Sequence, residues 1–111
     1  MFIDDNTRLR HMLNAAKEAV LFSANTNRKD LDNNRMLTLS LVKCIEIVGE
    51  AASRISTDRQ KELPQIPWSQ VIGMRNRLIH AYFEVNLDIV WDVITDDLPL
   101  LIVELEKIIE S

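Results

Sequence analysis

The fold is decided by the stretch LTLSLVKCIEIVGEAASRI, residues 37–55. It contains no proline and a single glycine, and its apolar residues recur at intervals of three and four, the repeat of an amphipathic α-helix. These apolar positions are Leu37, Leu41, Cys44, Ile45, Val48, Ala52 and Ile55. The pattern predicts one long helix that begins at a cap on Asp30 and runs to about Ser56.

Helical spacing of apolar residues continues on both sides of this stretch. The predicted helices cover residues 6–23 (capped by Asp4 or Asp5), 67–82, 87–96 and 98–110. Polar or proline-containing connections are predicted at 25–29, 57–67 and 83–86. Pro99 leaves the last region as either two helices or one helix that is kinked or split near this proline. The sequence therefore predicts an all-α bundle of four to five helices in a single domain, residues 1–111.

Composition narrows the class of protein further. Hydrophobic residues make up 47% of the 111 residues, which excludes a disordered chain and allows a modest core. The one cysteine, Cys44, excludes an internal disulfide framework and a cysteine-based zinc site, and its apolar surroundings predict a small core residue. No signal-peptide pattern and no membrane-length apolar run is present, so a cytoplasmic protein without a membrane partner is expected.

Charge is unevenly distributed along the chain. Residues 84–111 hold eight acidic residues against one lysine, a net charge of −7, so residues 1–83 carry +3 of the total of −4. A local positive site can therefore exist in an acidic protein.

The polar residues of the third helix concentrate at its end, in the segment RNRLIHAY, residues 75–82. Asn76 and His80 are four apart and share a helix face, as do Arg75 and Tyr82, which are seven apart. Arg75 and His80, however, are about 140° apart around the axis. If these two cooperate, long side chains wrap inward, the helix distorts, or two copies of the chain meet across a twofold axis, the commonest symmetry of oligomers.

This set of side chains suits cleavage of RNA without a metal. Histidine can transfer protons near neutral pH, and arginine can stabilise a phosphate that gains charge. Asparagine can orient either group, and tyrosine can stack on a base. The RNA supplies its own nucleophile, the 2′-hydroxyl. The structural alternatives are a histidine that caps the helix dipole and arginines on a solvated face.

Several motifs together resemble those of HEPN proteins, specifically the HepT toxin family. Residues 75–82 match its Arg-x4-His-x-Tyr motif, in which Arg75 is the arginine, His80 the histidine and Tyr82 the tyrosine. The Gly-Glu-Ala stretch at 49–51 and the Pro-Trp lead-in at 67–68 are also similar, as is the Leu-Pro-x-Leu element at 98–101. The resemblance covers residues 6 to 108.

The resemblance implies a HEPN-type helical bundle that dimerises and acts as a metal-independent endoribonuclease toxin, with no cofactor. It further implies a partner antitoxin, an MntA-type minimal nucleotidyltransferase, which silences the toxin by transferring AMP to the motif tyrosine. Carried over residue by residue, Arg75 and His80 would be catalytic, Asn76 would support them, and Tyr82 would be the AMPylation site. The partners implied are the RNA substrate, a second copy of the chain and the antitoxin.

Two further side chains are candidates for supporting or RNA-binding roles. Arg77 would contact RNA phosphates, with a plain surface arginine as the alternative. Glu50 and Glu46 are four apart in the long helix and would pair with Arg75 or Arg77, or face solvent. His11, on the first helix, is expected to have no role.

Two other functions remain open at this stage. The chain could be a non-catalytic HEPN subunit that presents a nucleotide or substrate to a partner nucleotidyltransferase, in which case it binds but does not cleave RNA. It could also be a plain helical dimerisation domain, in which case alanine at His80 or Tyr82 changes only stability or assembly.

Overall fold

The computed structural model describes residues 3–78 and 85–110. Within these ranges the chain forms α1 (Asp5–Ser23), α2 (Arg28–Asn33), α3 (Arg35–Ser53), α4 (Thr57–Glu62), α5 (Trp68–Leu78), α6 (Leu87–Asp92), a π-helical turn (Val93–Asp97) and α7 (Leu98–Glu110). Helix α3 packs against both α1 and α5, and α7 packs against α1. The predicted all-α bundle is confirmed: four long helical runs form it, with α2 and α4 as short additions.

The first helix follows the prediction closely. Of the two candidate caps, Asp4 is the one used, because its side chain accepts a hydrogen bond from the backbone N–H of Thr7 at 2.7 Å. Asp5 begins the helix and instead reaches residue Ser56, near the start of α4. The apolar face of α1 is buried in the core.

The predicted single helix from Asp30 to Ser56 is wrong at both ends. Asn34 has an extended backbone (φ −126°, ψ 93°) and separates α2 from α3. Its side chain accepts from the N–H of Leu37 at 3.0 Å, so it caps α3. Helix α2 is capped by Asn27, which forms a capping box with Asp30. A helix therefore replaces part of the predicted loop at 25–29, and α3 ends at Ser53.

The proline-containing region 57–67 was predicted as an interruption, yet its first half is the helix α4. Ser56 caps this helix by accepting from the N–H of Arg59. The indole Nε1 of Trp68 donates to the carbonyl oxygens of Gln60 (3.1 Å) and Leu63 (3.0 Å). These bonds fix the start of α5 against the end of α4, so the short helix is held by its neighbours as well as by its cap.

The region around Pro99 is a single helical run and not two separate helices. Leu98, which precedes the proline, has helical angles (φ −66°, ψ −40°), and its N–H donates to the carbonyl of Val93, five residues earlier. The hydroxyl of Thr95 donates to the carbonyl of Trp91 at 2.8 Å. A π turn of this kind widens the helix locally and accommodates a proline that lacks an N–H.

The core consists of apolar side chains from every long helix, and Cys44 is among them as predicted. Gly49 marks the close approach of α3 and α5, because a Cβ atom built there would lie 3.4 Å from the carbonyl oxygens of Val71 and Ile72. Packing of α5 on α3 therefore sets where the end of α5 lies. Within the described ranges, none of the helices combines the length and apolar character needed to cross a lipid bilayer.

Candidate functional site

The arginines and the asparagine of the predicted motif lie in the last turn of α5. Arg75, Asn76 and Arg77 are all exposed, whereas Met74 and Leu78 on the opposite face are buried. His80 and Tyr82, the other two predicted site residues, lie outside the described residues. The structure therefore positions the arginine half of the motif at the surface of the bundle.

Arg75 forms an ion pair with α3. Its Nε donates to Oε1 of Glu46 at 3.2 Å, and the side chains of Arg75 and Glu46 are 49% and 31% exposed. Because the contact uses the Nε atom, the two terminal nitrogens of the guanidinium group are not required for it. The two terminal nitrogens form one of the edges with which arginine can bind a phosphate through two parallel hydrogen bonds.

The other candidate side chains have different neighbours. Arg77 is 3.5 Å from Asp97 in the π turn. Arg75 therefore contacts α3, whereas Arg77 contacts the π turn. Glu50 accepts from Nε of Arg54 at 2.7 Å and is not the partner of Arg75. Of the pairings considered for Glu46 and Glu50, the structure contains only the one between Glu46 and Arg75 among the described residues.

Arg75 opens onto a groove of about 390 Å³ that crosses the exposed face of α3. We call it the α3 groove; it is lined by Arg8, His11, Lys43, Glu46, Ile47, Glu50, Ala51, Arg54 and Arg75. Four of these side chains are cationic and two are anionic, so the α3 groove has an excess of two positive charges with His11 counted as neutral. This excess lies in a chain with a net charge of −4.

The sequence did not indicate that Arg8, Lys43 and Arg54 line the same groove as Arg75, and it predicted no role for His11. The periodicity of α1 and α3 did put these residues on polar faces, but it gave no sign that the two polar faces adjoin. Only the packing of α1 against α3 brings Arg8 and His11 to the same groove as Arg75.

The chain is held by hydrogen bonds on both sides of the segment 79–84. The N–H of Asn86 donates to the carbonyl of Leu78 at 2.6 Å, which joins the end of α5 to the start of α6. The side chain of Asn86 accepts from the N–H of Ile89 and caps α6. Arg28 of α2 donates to Asp88 at 2.7 Å. The residues that precede and follow the segment 79–84 are therefore adjacent and anchored.

Cys44 has no part in this site. Its side chain belongs to the buried face of α3, and burial is the main cause that raises the pKa of its thiol. A protonated, buried thiol is a poor nucleophile, which agrees with the core role predicted for it.

Comparison with known proteins identifies the class to which this helical bundle belongs. A family model described as "Ribonuclease HepT-like" matches residues 12–108, which includes α3, α5 and the whole motif. The chain therefore belongs to the HepT-like ribonuclease family, as the motif resemblance predicted.

Individual relatives agree with this assignment. Two proteins of Methanocaldococcus jannaschii, named "Putative RNase MJ1380" and "Putative RNase MJ1216", are 31% and 33% identical to the chain. The first match covers 88% of this chain and 90% of the relative, and the second covers 93% and 85%. A Thermococcus cleftensis protein named "Probable ribonuclease HepT" is 38% identical over 62% of this chain and 63% of its own length. No solved structure matches the chain.

Proposed function

We propose that this protein is a metal-independent endoribonuclease toxin that cleaves RNA at a site formed by a homodimer. The observation that carries the proposal is Arg75: in a chain of the HepT-like ribonuclease family, it lies exposed in a groove with excess positive charge, and Glu46 holds it only through Nε. The terminal nitrogens are then available to a phosphate that gains charge during cleavage.

In the proposed reaction the 2′-oxygen of the RNA attacks the adjacent phosphorus, and the bond from phosphorus to the 5′-oxygen breaks. His80 assists the transfer of the 2′-hydroxyl proton, and the leaving 5′-oxygen takes up a proton. Arg75 stabilises the pentacovalent phosphate, and Asn76 orients it. The products are a 2′,3′-cyclic phosphate and a 5′-hydroxyl end, so no metal-bound water is consumed.

A second copy of the chain is proposed because of the exposed face of α3. Met36, Leu39 and Ile47 are 81%, 50% and 38% exposed, and with Lys43 and Glu50 they form one stripe at helical spacing. The stripe is apolar at its start and charged where it meets Arg75. Dimerisation through the apolar half would bring two α3 grooves together. A regular helix places Arg75 and His80 about 140° apart around its axis, so a site that uses both is easier to form from two copies of the chain.

We further propose that an MntA-type nucleotidyltransferase silences the toxin at Tyr82. The tyrosine oxygen would attack the α-phosphorus of a nucleoside triphosphate, its proton would be lost to a base, and pyrophosphate would leave. The added AMP brings a negative charge and bulk next to an RNA site, which opposes RNA binding. Mass measurement of the protein co-expressed with the partner, beside a Tyr82→Phe control, tests this step.

Cleavage of a mixed RNA substrate in the presence of EDTA tests the main proposal. Arg75→Ala and His80→Ala should each lower the rate at least about a hundredfold, the usual scale for loss of a charge-stabilising or proton-transferring group. Arg10→Ala, which removes an arginine of α1 outside the α3 groove, should leave the rate unchanged. A wild-type protein that binds RNA but does not cleave it would favour the binding subunit instead.

A further inference from the structure

Two cations of the α3 groove, Arg8 and Lys43, differ from the others in their surroundings. Arg54 and Arg75 pair with Glu50 and Glu46, but in the described part of the chain no ion pair within 4 Å joins Arg8 or Lys43 to a carboxylate, and Asp5 acts on Arg8 only at longer range. The positive charge of Arg8 and Lys43 is therefore less compensated than that of Arg75.

The position of these residues extends the site beyond the motif. Arg8 and His11 come from α1 and Lys43 from α3, whereas Arg75 comes from α5, so the α3 groove runs across the bundle from the motif to a second group of donors. Ile47, 38% exposed, provides an apolar part of its floor. Cations in a concave surface that have no carboxylate in direct contact concentrate the positive potential and attract a polyanion.

We propose that Arg8, His11 and Lys43 bind backbone phosphates of a single-stranded RNA, next to the phosphate that Arg75 contacts. This inference rests on the proposed function, because it assumes that the anion in the groove is RNA. Arg8 and Lys43 provide charge and His11 provides a hydrogen-bond donor, so the contacts fix the position of the strand without reading its sequence.

The charge pattern of the α3 groove favours RNA over an acidic protein. The phosphates of a strand recur along its backbone, so successive phosphates can contact cations that are spread along a groove of about 390 Å³. The carboxylates of Glu46 and Glu50 lie among the cations of the groove. They also favour a ligand whose negative charges are separated, because each charge can then contact a cation and avoid the carboxylates.

The test measures binding of a fluorescein-labelled 2′-O-methyl RNA 12-mer, which lacks the 2′-hydroxyl and cannot be cleaved. We compare the wild type with Arg8→Ala/Lys43→Ala over a range of salt concentrations. The double variant should bind about tenfold or more weakly, as loss of phosphate contacts predicts. The slope of log K against log salt should fall by about 1.4, since each single-strand phosphate contact contributes about 0.7.

The matched control is Arg10→Ala/Lys17→Ala, which likewise removes one arginine and one lysine, both from α1 and both outside the α3 groove. Lys17 is nine residues from Arg8, on the opposite side of α1, where it pairs with Glu106 of α7. This variant should bind as the wild type does. Lys43→Glu, a change at one exposed position, should weaken binding more than Lys43→Ala does, and it checks the result if the double variant is unstable.

The outcomes distinguish a failure of the RNA-binding role assigned to the groove from a failure of the proposed nuclease function. Equal weakening by both double variants, or no weakening by Arg8→Ala/Lys43→Ala, would overturn the assignment of the groove. So would a variant that keeps its RNA affinity but no longer binds the co-expressed nucleotidyltransferase, because the groove would then be a protein-docking surface. If the wild type binds the 12-mer through the groove but cleaves no unmodified RNA, the groove stands and the nuclease proposal fails.

Discussion

At the scale of single residues, the role proposed for Arg75 depends on the two edges of its guanidinium group. The Nε edge contacts Glu46, and the terminal edge is the one proposed to contact an RNA phosphate. An exposed ion pair of this kind adds little to folding stability, in the range of about 0–1 kcal/mol. Its effect on the orientation of the guanidinium group is therefore more important than its effect on stability.

Replacing Glu46 by alanine removes the acceptor that orients Arg75. Glu46→Ala should lower the cleavage rate at saturating RNA on the order of tenfold, the effect of about 1.4 kcal/mol lost in the transition state. RNA affinity should rise slightly, because one negative charge leaves the groove. Single-turnover kinetics and binding of uncleavable RNA measure the two effects.

Glu50→Ala is the matched control for this prediction. It removes the same charge from the same face of α3, but Glu50 pairs with Arg54 and not with Arg75. It should raise RNA affinity to a similar degree and change the rate much less. Equal losses of rate in both variants would contradict the orienting role of Glu46.

Gly49 tests the contact that positions α5. Gly49→Ala should change the free energy of unfolding by no more than about 1 kcal/mol, because a Cβ fits at 3.4 Å and alanine favours helix. Gly49→Leu should lower it by about 2 kcal/mol, because the longer side chain meets the carbonyls of Val71 and Ile72. Gly73→Leu is the control, since a Cβ there meets nothing within 4 Å. Urea denaturation measures all three, and similar losses at both glycines would refute the contact.

At the scale of elements, the sequence predicted the long helices well and their interruptions poorly. The apolar repeats of α1, α3 and α5 are strong because each buries one face in the core. The break at Asn34 was missed because asparagine is compatible with a helix and only its capping bond to Leu37 reveals the end. Helix α4 was missed because none of its residues is buried, so it has no apolar repeat.

One bond network between elements gives a prediction about pH. Asp5 accepts from the Oγ of Ser56 at 2.7 Å and from its N–H at 3.0 Å, and these bonds lower the pKa of Asp5 below 3.8. The stability they contribute is fully present above pH 3.8 and is lost as the pH falls through the lower folded-state value. Asp5→Ala should therefore cost about 1 kcal/mol at pH 7 and clearly less at pH 2–3.

Thermal denaturation of Asp5→Ala and the wild type at both pH values measures this difference. Asp58→Ala is the control, because Asp58 is an exposed residue in the first turn of α4 and makes no such contact with α1. A loss for Asp5→Ala that is independent of pH would mean that the charge of Asp5 has no part in holding α1 to α4.

At the scale of the whole molecule, the exposed apolar half of the stripe on α3, which contains Met36 and Leu39, predicts a dimer. Leu39→Asp, in the apolar half, should change a mass of two chains at micromolar concentration to a mass of one chain, because a buried unpaired charge disfavours the interface. Leu100→Asp is the control, since Leu100 is 71% exposed on α7. Sedimentation velocity measures both, and a wild type that sediments as one chain would refute the dimer.

The site was predictable only in part, because some of its residues are close in sequence and others are brought together only by packing. Arg75 and its motif lie within eight consecutive residues, so a linear pattern was enough to find them. Arg8 and Lys43 reach the same groove from α1 and α3, and no local spacing indicates which polar faces adjoin. That information is in the packing of α1, α3 and α5.

The π turn at Val93–Asp97 has a consequence for how chain length can vary in this protein. A π turn uses one residue more than a turn of α-helix to make nearly the same rotation, so removing one residue there restores a regular helix and leaves α6 and α7 in nearly the same relative orientation. Removing one residue from α7 instead would rotate α6 by about 100° relative to the rest of α7 and shift it by about 1.5 Å. Asp88 would then turn away from Arg28, and Asn86 from Leu78. The π turn is therefore the place in this helical run where the chain can lose a residue without altering the frame on either side of segment 79–84.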